Sequence, residues 1–552
     1  MDDEAGGMGR GMAGLEGPTG RLRLPTPPGW AGASIFARPV RFLYVSHPMA
    51  ALPASDAAPQ RFSSRWTLLL SVLGIAVGTG NIWRFPRIAA ANGGDDGAGA
   101  FLVAWLVFLV AWSIPLIVAE YALGLKSRMG PVGAFAQVAG KPFAWAGGFV
   151  ALVASAIMCY YAVVAGWCVY YTGASVAGRL PASAEASLAA WDGFQASGLP
   201  VLFLAVAMGA AAWACLNGVR SIERANRVLV PTLLVLVVLA AVRALTLPGA
   251  GAGVAYLFTP DWADLANPQL WLEALTQNAW DTGAGWGLIL TYAAYMKREH
   301  GVVRNAVLTG AGNNAVSLLA AMMIFATTFA VLGQQGMGSA EVLDVMRTSG
   351  PAGTGLTFIW MPQLFAGMPF GGAVAVGFFL ALAFAALSSL ISMVELASRV
   401  LVDFGVARRK AVLAVAVVAF AVGSASALNL TFFANQDFVW GVALMLSGGL
   451  IALAVSRYGA EALRRETDAP GDWPLPRVWA FWMRWAIPVQ AAVLLGWWLY
   501  LATTADFTSR WWDPTEPYSA ATCLVQWALA AGVLLGLNGW MNRRLPREAD
   551  AR

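Results

Sequence analysis

Apolar residues dominate this chain in long blocks, separated by short polar or glycine-rich stretches. The blocks lie near 65–90, 100–125, 143–173, 199–216, 228–247, 270–296, 303–333, 372–402, 410–428, 438–456, 485–504 and 519–540. A helix needs about 20 such residues to cross a hydrocarbon layer, so the pattern predicts about twelve membrane spans and an all-α fold. The connection 334–371 is too long and apolar for a plain loop, and short helices dipping back toward the protein are expected there. The connection 176–198 reads as a polar external loop.

Two spans break their own pattern. The first carries "GIAVGTGNIWRFP", Gly74 to Pro86, and the sixth carries "QNAWDTGAGWGLILTYAAY", Gln277 to Tyr295. Glycines and polar residues at mid-span free backbone groups where no water can satisfy them. The two lie five spans apart, an odd number, so the second set enters the membrane from the opposite side. Matching interruptions in two such halves point to an inverted-repeat transporter with its site at the midplane.

Composition narrows the classes. Hydrophobic residues make up 59% and charged residues 12% of 552, against about 45–50% and 25% in soluble domains. The net charge of +5 matters by position more than by sum. Lys and Arg crowd alternate connections, among them Lys126/Arg128/Lys141, Arg220/Arg224/Arg227 and Arg408/Arg409/Lys410, which places both termini in the cytoplasm. No basic tract suits nucleic acid. Two histidines and four cysteines without ligand spacing argue against a metal enzyme. No nucleophile–base constellation suggests another kind. Residues 1–60 are rich in Gly, Pro and Arg without periodicity, and are expected to be a disordered tail or an over-extended start ahead of Met49.

A broken helix exposes amides on one half and carbonyls on the other, able to hold a carboxylate and a small cation. Asn81, Asp281 and the hydroxyls of Ser388, Ser389 and Ser392 add side-chain oxygens. Each feature has a plainer reading. Glycines in membrane helices serve close packing, serines bond back to their own helix, and Tyr161 could be a packed aromatic. Asp281 differs, since an acid at mid-membrane is functional by default. Arg84 and Asp437 form a candidate ion pair at the outer mouth.

Together "GIAVGTGNIWRFP", "IPLIVAEYALG", "NGVRSIERANRVLVPTLL", "YLFTPDW" and "LILTYAAY" resemble the neurotransmitter:sodium symporters of the bacterial LeuT type, across most of residues 62–456. The resemblance implies two inverted five-helix repeats (61–247 and 270–456) joined by an external loop (248–269). Accessory helices eleven and twelve (457–543) and a cytoplasmic tail (544–552) follow. It implies sodium-coupled import of an amino acid or related zwitterion across a bacterial inner membrane by alternating access. The rival reading is a non-transporting sensor on the same fold.

Carried over by motif, one sodium would be held by the carbonyl of Ala76 with Asn81, Asp281, Asn313 and the substrate carboxylate. A second would be held by the carbonyls of Gly74, Val77 and Ala385 with Ser388 and Ser389. The carboxylate would meet the amides of Thr79 and Gly80 and the hydroxyl of Tyr161. Ile157, Trp280, Gly283, Trp286, Ser389, Ser392 and Met393 would line the pocket, with Trp280 lying over Tyr161 as a lid. Arg84 with Asp437 would be the outer gate, Asp403 with Arg61 the inner one. Gly78 stands where amine-transporting members carry an acid, which favours a substrate with its own carboxylate. Chloride-dependent relatives hold the anion beside the first sodium, and chloride-independent ones replace it with a glutamate on the seventh helix. Here Ser317 stands at that glutamate's position and Trp105 at a chloride-binding tyrosine's, while Gln277 and Asn313 remain. Asp281 replaces a hydroxyl residue, so the fixed charge is expected on the sixth helix and chloride is not expected to be needed.

Overall fold

Glycine and proline decide where the helices of this chain break and widen. The computed structural model describes residues 60–94, 96–347, 355–504 and 508–546, so the expected disordered tail up to residue 59 lies outside the described residues. Among those described, every regular element is helical. Among the described residues nine helices are long and apolar enough to cross a membrane unbroken, from Gly99–Ser127 to Ala520–Arg544. The fourth crossing is Leu199–Cys215, bent by 73° from Ala184–Gln195. The first is built from Arg65–Ala76, Thr79–Ile82 and Arg84–Asn92, and the sixth from Pro268–Asp281 and Leu288–Ala293. Nine, one and two make the twelve that the hydropathy predicts.

In the first span Val77 and Gly78 leave the helix, Gly78 being extended at φ −105° and ψ −170°. Asn81 restarts it, its Oδ1 accepting from the Gly78 amide at 2.8 Å. The sixth span opens differently. Gly283, Gly285 and Gly287 sit at φ +70°, +90° and +76°, a region where a Cβ meets the backbone and only glycine rests without strain. Neighbouring spans satisfy the freed groups. The buried carboxylate of Glu120 accepts from the amides of Gly285 (2.7 Å) and Leu290 (3.0 Å). Ser447 Oγ donates to the Gly285 carbonyl at 2.6 Å.

Three π-helical turns, Leu109–Ser113, Leu356–Trp360 and Trp482–Ala486, each run into a helix with proline at its second position. Proline has no N–H to give and crowds the carbonyl four residues back, so the helix widens to accommodate it. For Pro115 that carbonyl belongs to Ala111. It accepts instead from Trp482 Nε1 (2.6 Å) and Gln490 Nε2 (3.1 Å), fastening the eleventh span to the second.

The external connections also contain helices. Ser339–Arg347 and Met361–Ala366 fulfil the expectation for 334–371. Residues 176–198 depart from theirs: instead of a polar loop they hold the helix Ala184–Gln195, capped by Ser183 and anchored by buried Trp191 and Phe194. The apolar residues at 191 and 194 sit three apart, too few to signal a span and enough to dock one helical face.

Candidate functional site

The two interrupted spans meet over a cavity of about 530 Å³, reaching from Ile75 at its floor to Trp498 and Tyr518 near its mouth. At the break of the first span, the Thr79 amide and hydroxyl each donate to the Tyr161 hydroxyl at 3.3 Å. Gly80 borders open space, with nothing within 4 Å of a Cβ built on it. A Cβ at Gly78 would lie 3.1 Å from Ser389 Oγ and 3.2 Å from the Tyr161 hydroxyl. Any side chain there would enter the cavity between the two groups.

Beside this break the oxygens converge. The Asn313 side-chain amide lies 2.8 Å from the Ala76 carbonyl oxygen and 3.0 Å from that of Asp281, and with its nitrogen turned toward them it donates to both. The Ala76 and Asp281 carbonyls are hard oxygens, and beside them the Asp281 carboxylate keeps one acceptor buried and unpartnered among the described residues, so the residues present fit sodium. The Asp281 carboxylate stands next to the cluster, its Oδ2 accepting from Ser317 Oγ (3.3 Å) and Gln277 Nε2 (3.4 Å). Its Oδ1 is buried without a hydrogen-bond partner. Thus Asp281, Ser317, Gln277 and Asn313 form one buried polar group.

The second oxygen set lies where the first span touches the eighth. Ser389 Oγ donates to the carbonyls of Gly74 (3.2 Å) and Ile75 (3.3 Å), and Ser388 Oγ to that of Ala385 (3.0 Å). A Cβ on Gly74 would come within 3.2 Å of Ser388 Cβ, so glycine is what allows the approach. Val77 supplies the break adjacent to it.

Four expectations need correcting. Ile157 and Ser392 do not line the cavity: Ile157 is fully buried in the core, and Ser392 Oγ is taken by the Tyr292 hydroxyl (2.9 Å) and the Ser388 carbonyl (3.1 Å). Trp280 does not lie over Tyr161. Its ring meets Trp286 at 5.7 Å, edge to face, and the Arg84 guanidinium at 4.7 Å, close against Gly441. Arg84 and Asp437 both line the cavity, but among the described residues they form no ion pair, because Arg84 rests on Trp280. Asp403 does not pair with Arg61. It binds its own-helix neighbour Arg399 (2.8 Å) and the Gly130 amide (2.6 Å), while Arg61 donates to the Met296 carbonyl (3.1 Å).

The remaining expected residues, Thr79, Gly80, Tyr161, Trp280, Gly283, Trp286, Ser389 and Met393, do border the cavity. Sequence reading missed Glu273 and Arg87 in its wall. Glu273, Gln277 and Asp281 recur every four residues along one helical face, and Arg84 and Arg87 are three apart. That spacing was the available signal.

The end of the bundle at the start of the first span is shut. The Phe62 amide donates to the Tyr295 carbonyl (3.1 Å), and its ring meets that of Tyr292 at 5.7 Å. Buried Glu223 accepts from the Ser63 amide and the Thr67 hydroxyl, both at 2.6 Å. Glu395 holds Arg408 and accepts from the Tyr295 hydroxyl at 2.6 Å. With Arg84 and Asp437 apart and these contacts made, the cavity is open at the Arg84–Asp437 end and closed at the Phe62 end.

Comparison with known proteins agrees with this geometry. The profile of the sodium:neurotransmitter symporter family matches residues 59–195 and 184–535. A sodium-dependent transporter of Methanocaldococcus jannaschii is 31% identical over 439 residues, 76% of this chain and 87% of that protein. One from Bacillus subtilis is 27% identical over 467 residues, 80% of this chain and 98% of its own length. The crystal structure of MhsT in complex with L-phenylalanine superposes with a TM-score of 0.68 at 31% identity, covering 79% of this chain and 99% of that one.

Proposed function

The chain belongs to the sodium:neurotransmitter symporter family and is a sodium-dependent transporter with the LeuT-type fold, and from that premise we propose that it imports an amino acid or related zwitterion with two sodium ions and without chloride. One observation carries the reading: the Ala76 and Asp281 carbonyls and the unpartnered Asp281 Oδ1 gathered at the break of the first span, beside the free face of Thr79 and Gly80. A substrate carboxylate seated on the Thr79 and Gly80 amides and the Tyr161 hydroxyl would add a further oxygen to that set. Substrate and sodium would then bind as one unit. The second sodium belongs at Gly74, Val77, Ala385, Ser388 and Ser389.

Gly78 supports a zwitterion rather than a bare amine, since an acid there would crowd Ser389 and Tyr161. Asp281 supports independence from chloride, since its carboxylate contacts Gln277 and Ser317 where an anion would otherwise be needed. The halves 61–247 and 270–456 act as inverted repeats in a bacterial plasma membrane, with the Lys- and Arg-rich connections and both termini in the cytoplasm. Arg84 and Asp437 would close over a bound substrate, and Arg399–Asp403 with the contacts of Arg61 and Phe62 would part to release it. The relatives are transporters, and none supports the sensor reading.

The test is a thermal-shift panel of amino acids and their decarboxylated amines, run in sodium and in potassium. One or more amino acids should stabilise the protein only in sodium, with no amine doing so. Stabilisation by amines alone, or equally in potassium, would overturn the substrate class.

A further inference from the structure

Below the serine pair, toward the cytoplasm, the first half-helix and the fifth span run side by side in register. Two rungs of contact are visible. Thr67 Oγ1 donates to Glu223 at 2.6 Å, and a Cβ at Gly74 would meet Val230 Cγ2 at 3.0 Å. Between them the same spacing brings Ser71 level with Asn226, since Ser71 is four residues after Thr67 and Asn226 three after Glu223. Both are fully buried. Neither amide atom of Asn226, nor Ser71 Oγ, has a hydrogen-bond partner among the described residues. The Asn226 amide lies beside the Tyr292 hydroxyl, within reach of a long hydrogen bond. That hydroxyl lies 2.9 Å from Ser392 Oγ.

Three buried polar atoms left unsatisfied at one level are costly for a packed protein. Ser71 sits about one helical turn below Gly74 on the first span, and Asn226 on the fifth span packed against it. One level further down, Glu395–Arg408 and Thr67–Glu223 close the path.

We propose that Ser71 Oγ, Asn226 Oδ1 and the Tyr292–Ser392 hydroxyls form a stop-over site for sodium leaving the serine pair toward the cytoplasm. The inference rests on the sodium reading above. The ligands are uncharged oxygens, suited to a hard cation, and without a carboxylate they hold it weakly enough to let go. Asn226 is therefore a positioning residue for ion exit, distinct from the groups that capture sodium from outside.

The experiment uses the full chain in proteoliposomes, with sodium as the probe. Sodium loaded inside should inhibit uptake by refilling the stop-over site. Replacing Asn226 with leucine, close in volume and without oxygen, should raise the internal sodium needed for half-inhibition about tenfold and slow turnover. The external sodium for half-maximal uptake should not change. Asn226→Ser keeps an oxygen and should fall between the two. Should the leucine variant fold poorly, Ser71→Ala carries the same expectation. Unchanged internal inhibition in Asn226→Leu or Ser71→Ala, or an equal loss in Asn226→Ser, would overturn the stop-over site. Ser389→Ala separates this from the reading beneath it. If that variant leaves external sodium dependence unaltered, the serine site itself is wrong. If only the Asn226 variants fail, the exit proposal alone falls.

Discussion

Replacing Glu120 with glutamine should loosen the break of the sixth span without changing side-chain size. The two oxygens of Glu120 accept from the Gly285 and Leu290 amides at 2.7 and 3.0 Å, in a fully buried setting. Glutamine keeps one acceptor and turns an NH₂ toward the other amide, so one hydrogen bond is lost and two donors face each other. Losing a bond to a charged group costs about 1.5–3 kcal/mol, and a buried donor left unpaired adds about 1–3 kcal/mol. The sum is centred at about 4 kcal/mol, or roughly a thousandfold in the stability of the broken conformation. Because Gly283 and Asp281 both line the cavity, the variant should also bind sodium and substrate more weakly if the proposed first sodium set is right. The assay is thermal unfolding in detergent, with and without sodium, alongside sodium titration of substrate binding. A variant that unfolds within a degree of wild type and titrates identically would refute the claim that Glu120 holds the break open.

Other substitutions test neighbouring contacts. Ser389→Ala removes a hydroxyl from the second sodium set and should raise the half-saturating external sodium about tenfold in uptake assays. Tyr161→Phe should weaken substrate binding by about 1.5–3 kcal/mol through loss of one charge-assisted hydrogen bond, read by scintillation proximity. Asp403→Asn frees Arg399 and weakens the hold on the Gly130 amide, so a cysteine placed near the cytoplasmic ends of spans two and eight should be labelled faster than in wild type. Asp472→Ala leaves the Val302, Val303 and Arg304 amides uncapped at the start of the seventh span and should cost about 1–2 kcal/mol, measured by thermal unfolding.

The hydropathy pattern carried the twelve crossings because each apolar block answers to one physical constraint, the thickness of hydrocarbon. Both interruptions were legible for the same reason: mid-span glycine is hard to justify unless the backbone there has other partners. Most cavity residues followed from motifs adjoining those interruptions. The misses came from choices among partners. Asp403 had an arginine four residues away on its own helix, and that local pair prevailed over Arg61 reaching across from another segment. Trp280 could stack on Tyr161 or on Arg84, and the guanidinium 4.7 Å from its ring is the partner packing chose. Ser392 was one hydroxyl among several, and only packing reveals that Tyr292 claims it. The helix at Ala184–Gln195 was hidden by its polar exposed face.

The most direct test of the account is uptake by proteoliposomes under an inward sodium gradient, with chloride replaced on both sides by gluconate. The substrate is whichever amino acid the thermal-shift panel selects. Uptake should require sodium, proceed at the same rate in gluconate as in chloride, and vanish when potassium replaces sodium. With Asp281→Ser it should become slow or chloride-stimulated, and adding Ser317→Glu should restore transport without chloride. Wild-type uptake that stops in gluconate would contradict the placement of the fixed charge at Asp281, and uptake indifferent to sodium would contradict the coupling itself.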